Sequence, residues 1–106
     1  MKTKHQGPGG DLNGFLDAGS DMRGELHFVD TFRIDGHFTG TVISEGDLII
    51  GVGGEVDGEL LVSRVFVSGT VKGKIAAAKR VEIATTGRVF SSIETPSLVI
   101  EDGAIF

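Results

Sequence analysis

Apolar residues return along this chain at a nearly fixed interval. Phe32, Leu48, Val65, Val81 and Leu98 are separated by 16, 17, 16 and 17 residues, and Ile34, Ile50, Val67, Ile83 and Ile100 repeat those gaps two positions later. A third series, Phe38, Val56, Val71, Val89 and Ile105, leads a fourth by four residues: Val42, Leu60, Ile75 and Ile93. Met22 and Leu26 keep that spacing one unit earlier. Apolar pairs at i and i+2 are the rhythm of strands, and the i, i+3, i+4 rhythm of an amphipathic helix is missing. Glycine falls into step with the series. Gly36, Gly54, Gly69, Gly87 and Gly103 each precede a third-series residue by two, and Gly24, Gly40, Gly58 and Gly73 each precede a fourth-series residue by two, with Ser91 the one substitute. Glycine at fixed offsets marks corners, where the backbone needs positive φ or close approach.

A unit of 16–17 residues with short strands and glycine corners predicts one turn of a parallel β-helix, each coil stacking on the last at about 4.8 Å with aliphatic columns inside. The chain is therefore expected to be all-β, a single-domain parallel solenoid of about five to six short coils. The step from the second to the third series varies as 4, 6, 4, 6 and 5 residues, so length variation sits mainly in the corners, as solenoids allow. Charge agrees with this register. Asp57 precedes Lys72 in one outward column and Glu59 precedes Lys74 in another, and opposite charges are tolerated as stacked neighbours where like charges are not.

The runs Arg33-Ile34-Asp35-Gly36-His37-Phe38-Thr39-Gly40, Leu48-Ile49-Ile50-Gly51 and Val65-Phe66-Val67-Ser68-Gly69-Thr70-Val71-Lys72-Gly73 resemble the bactofilin family, as do Gly14-Phe15-Leu16 and Arg23-Gly24-Glu25-Leu26. The resemblance covers roughly residues 14 to 106. It implies a right-handed β-helix that polymerises end to end, without nucleotide, into non-polar cytoskeletal filaments positioning envelope or cell-wall proteins. Cell-wall hydrolases or synthases are the partners it implies beyond the chain itself. On this reading residues 1–13 form a flexible N-terminal tail and 14–106 the β-helix domain.

Composition narrows the alternatives. At 106 residues one domain is expected. With 15 acidic against 10 basic residues and a net charge of -5, the chain lacks the basic footprint of a nucleic-acid binder. It has no cysteine, hence no disulfide framework, thiolate zinc site or thiol nucleophile. No apolar run approaches a membrane span, and Met1 to Gly10 has no apolar core of the kind a secretory signal needs. A cytoplasmic location is expected, with filaments at the inner face of the membrane as one arrangement. Lys2 and Lys4 stand in the first residues without a bulky apolar neighbour, so membrane association is expected to be weak or indirect. Catalytic, cofactor and metal sites are not expected. Gly51-Val52-Gly53-Gly54 has Val56 where a dinucleotide loop needs its third glycine, and Gly73-Lys74 is followed by Ile75 rather than Ser or Thr. His27 and His37 fall at different coil positions, without metal-ligand spacing.

Function is then expected at the ends of the rod. A β-helix that stops leaves unpaired backbone groups and half an apolar layer, and this sequence stops part-way through a coil. Two readings remain, an uncapped end or a coil continued beyond Phe106. Either way the C-terminal coil is the expected polymerisation interface, with Phe106 and Phe90 in one outward column and Ile105 in the inward third series. Leu12, Phe15, Leu16 and Met22 are expected to cap the first coil or to form the second contact. Ile49 and Phe66, with Val99 further along the same outward column, are a candidate lateral contact. Two other functions stay open: a monomeric β-helix recruitment module, and a left-handed β-helix enzyme of the acyltransferase type. Ile50-Gly51 followed by Val56 fits one hexapeptide unit of that enzyme class, but the unequal steps and unsuited histidines do not.

Overall fold

All strand pairing among the described residues is parallel, each coil lying against the next. The computed structural model describes residues 12–106, with side chains from Gly14 onward. Nine strands follow in order: β1 (Leu12–Leu16), β2 (Asp21–Phe28), β3 (Thr31–Ile34), β4 (His37–Ser44), β5 (Asp47–Ile50), β6 (Glu55–Val67), β7 (Thr70–Ile83), β8 (Arg88–Glu94) and β9 (Leu98–Ile100). Each coil runs through two or more strand segments. The first uses β1 and β2, the second β3 and β4, and the third β5 with the first half of β6. The second half of β6 with the first half of β7 makes the fourth, and the rest of β7 with β8 makes the fifth. β9 opens a sixth. The result is a parallel β-solenoid of about five turns, as the repeat predicts. The expected N-terminal tail, 1–13, falls outside the described residues from 1 to 11, and β1 opens at Leu12.

The inward columns are those of the sequence. Phe38 pairs with Val56, Val56 with Val71 and Val71 with Val89. Leu48, Val65 and Val81 align in a second column, and Ile34, Ile50, Val67 and Ile83 in a third. These side chains are buried, because a closed coil turns alternate residues of each strand toward a common interior. Phe32 plugs the first turns. Its ring lies where a Gly14 side chain would stand, and it packs against Phe28 with centroids 5.6 Å apart.

One column differs from expectation at its last member. Ile105 pairs with Arg88, its N–H donating to Gly87 O at 3.0 Å and its carbonyl accepting from Val89 N at 2.9 Å. It therefore stands in the outward column of His37, Glu55, Thr70 and Arg88, not in the inward third series, and Phe106 comes level with Val89, not with Phe90. The cause is the preceding turn. Ala104 N donates to Glu101 O at 3.1 Å, as Gly54 N does to Gly51 O and Gly87 N to Ala84 O. Ala104 therefore takes the corner that glycine takes elsewhere, and Gly103 lies one residue inside the turn.

Candidate functional site at the open ends

Burial fades toward both ends of the rod. The central members of each column are within a few per cent of complete burial, whereas in the last coils Leu98 is 42%, Ile100 44%, Ile105 46% and Phe106 59% exposed. Leu98 and Ile100 align with Val81 and Ile83, so they continue buried columns into the last described coil. Phe90, 55% exposed, stands beside Lys72 in an outward column. Among the described residues, the last coil thus presents a layer of aliphatic side chains beside β9 and the part of β8 beyond Val89, edges that no described strand pairs. That combination can accept another solenoid edge: backbone groups await hydrogen bonds and apolar surface awaits cover.

The first coil is better closed. Leu16 is buried and aligned with Ile34, while Met22, aligned with Phe38, remains 37% exposed. Phe15 aligns with Arg33, and that column continues through Ile49, Phe66, Glu82 and Val99. The register thus puts Phe15 on the side of the rod that carries Ile49 and Phe66. Ile49, Phe66 and Val99 are half-buried, and Glu82 separates Val99 from the other two. The side chain of Leu12 lies outside the described residues. Val29, at the corner after β2, is 75% exposed and has no counterpart in the sequence pattern, because the corner residues follow no series.

Polar chemistry on the rod is modest. Arg33 Nε donates to Asp35 Oδ2 at 2.8 Å, and this hydrogen bond, with the carboxylate's charge, raises the guanidinium pKa. Arg64 reaches Asp47 at 3.2 Å across one coil, and Arg80 reaches Glu82 at 2.8 Å. His37 stands in one column between Asp21, at 3.5 Å, and Glu55, at 4.0 Å. The alignment of coils would have disclosed this grouping, though spacing along the chain does not. Among the described residues no group of three or more His, Asp or Glu could hold a metal ion, and no helix is long and apolar enough to cross a membrane.

The family model of bactofilins, described as polymer-forming cytoskeletal, matches residues 14–106. The chain belongs to the bactofilin family. It is similar to the bactofilin BacO of Myxococcus xanthus, with 31% identity over 83 residues covering 78% of this chain and 66% of BacO. It is also similar to BacP of that organism, with 32% identity over 85 residues covering 80% of this chain and 35% of BacP. The chain therefore spans just under two thirds of one curated bactofilin and about a third of the other. Its fold matches the crystal structure of a phenylalanine-to-arginine variant of a Thermus thermophilus bactofilin, at TM-score 0.76 and 29% identity. That match covers 83% of this chain and 98% of the other. The bactofilin expected from the sequence motifs is the family found.

Proposed function

We propose that this bactofilin is a scaffold subunit whose solenoids stack end to end through their terminal coils, without nucleotide, into non-polar filaments. The observation that carries the reading is the apolar layer at the last described coil, where Leu98 and Ile100 extend buried columns yet stay more than two-fifths exposed. Phe106, level with Val89 at the open end, and Ile105 beside it form the centre of the contact, with Phe90 at its rim. Two copies meeting by this layer make an isologous junction, and use of the first coil as well extends the pair into an open filament. The filament then serves as a platform for envelope or cell-wall proteins, hydrolases and synthases among them, on the cytoplasmic face of the membrane.

The test is Phe106→Arg, examined by negative-stain electron microscopy and sedimentation with and without nucleotide. The unaltered protein should form thin filaments in both conditions. The variant, which buries an unpaired charge at the junction, should remain as monomers or short oligomers. Filaments of unchanged length from Phe106→Arg would refute the C-terminal junction, and a monodisperse unaltered protein would favour a recruitment module instead.

A further inference from the structure

Two adjacent coils carry opposite charge along the same glycine-lined edge. In the third coil Asp57 and Glu59 flank Gly58, and in the fourth Lys72 and Lys74 flank Gly73. Strand pairing sets Asp57 beside Lys72 and Glu59 beside Lys74, and all four side chains are exposed. None of the four takes part in an ion pair among the described residues. The contrast extends beyond the edge: from Arg64 to Lys79 the chain has four basic residues and no acidic one, whereas from Asp47 to Glu59 it has four acidic residues and no basic one. The rod therefore carries an acidic belt directly against a basic belt.

We propose that this edge pairs laterally with the same edge of a second copy running antiparallel, about a two-fold axis between the third and fourth coils. The arrangement follows from which alignments match charge. Parallel rods in register set carboxylate on carboxylate and lysine on lysine, and sliding one by a single coil matches only one row. The antiparallel arrangement matches both rows at once and keeps each column: Asp57 meets Lys72, Glu59 meets Lys74, and the reciprocal contacts form by symmetry. Exposed pairs are individually weak, but four repeat at every paired subunit of a filament, so avidity accumulates along its length. This contact uses the side of the rod, is distinct from the Ile49 and Phe66 column, and does not require the end-to-end junction.

The same symmetry brings Thr41 of the second coil opposite Ser92 of the fifth, since both belong to the column of Glu59 and Lys74. The absence of cysteine makes this a direct test. Thr41→Cys and Ser92→Cys proteins are mixed at low salt with a short bis-maleimide, and covalent dimer is read on a denaturing gel. Dimer should form in the mixture and not with Thr41→Cys alone, and it should vanish when both proteins also carry Lys72→Glu and Lys74→Glu. It should return when one partner carries those two changes and the other carries Asp57→Lys and Glu59→Lys, a rescue that excludes misfolding as the cause of loss. Dimer from Thr41→Cys alone would indicate parallel pairing and overturn the proposal. So would no dimer in the unaltered background, or a dimer indifferent to charge reversal.

Discussion

Gly40, Gly58 and Gly73 occupy one corner column at φ +138°, +145° and +119°, and a methyl group on any of them would overlap the carbonyl oxygen of the glycine one coil earlier. Two constraints coincide there, a backbone region that L-residues avoid and a backbone contact that cannot yield. Gly24 shares the φ, at +129°, but belongs to the first coil and has nothing within 4 Å of the same methyl. The pair separates the two costs. Gly24→Ala should destabilise by about 1–2 kcal/mol from backbone strain alone, and Gly58→Ala by about 3 kcal/mol or more once overpacking is added. Denaturant unfolding of the two variants checks the order, and equal losses would mean that the stack can spread. The column ends at Ser91, which has no positive φ and whose buried hydroxyl lacks a hydrogen-bond partner. Ser91→Ala should therefore leave stability unchanged or raise it by about 1 kcal/mol in the same assay. The glycine column was legible in the sequence, since no other residue type serves a stacked positive-φ corner at a fixed offset. The missing partner of Ser91 was not, because it depends on what lies beside one oxygen atom.

At the scale of strands and corners, the repeat was readable because each coil must return the same inward positions to the same columns. Two patterns compete at the last turn. Gly103 fits the spacing of the corner glycines, yet it sits inside a four-residue turn whose corner is Ala104. A turn's hydrogen bond, not its glycine, fixes where the next strand begins, so Ile105 and Phe106 each moved by one column. The candidate ends were legible as positions in columns, but their exposure was not, because it depends on the coil that does or does not follow. That difference has an energetic signature. Leu60 is fully buried between neighbouring coils, so Leu60→Ala should cost about 2–5 kcal/mol of monomer stability. Ile100, 44% exposed, should cost about 1 kcal/mol when cut to Ala, in proportion to the smaller area it withdraws from water, while weakening assembly. Thermal unfolding of non-polymerising Phe106→Arg backgrounds, set against sedimentation of the single variants, separates these effects. A large stability loss at Ile100 without an assembly defect would argue that the last coil is ordinary core.

For the whole rod, charge is distributed along the axis as well as around it. The first described coil carries Asp17, Asp21, Glu25 and Asp30 against Arg23, and the last carries Glu101 and Asp102 without a basic residue. A junction between the described terminal coils therefore brings acidic residues together, and its attraction comes from the apolar layer. The glycine-lined edge has the opposite balance, opposite charges facing across a solvent-exposed contact. Salt separates the two interactions. The screening length falls from about 10 Å at 0.1 M to about 3 Å at 1 M, which relieves repulsion at the ends and weakens attraction at the sides, while burial of Leu98, Ile100 and Phe106 is unaffected or strengthened. Raising ionic strength should therefore lengthen filaments and unpair them, so that long single filaments replace shorter paired ones. Filament length and width, measured together by electron microscopy across a salt series, test both contacts in one experiment. Shortening with salt would place a charged attraction at the ends, contrary to the apolar junction. Widths that stay constant would remove the lateral pairing and leave the terminal coils to account for assembly alone.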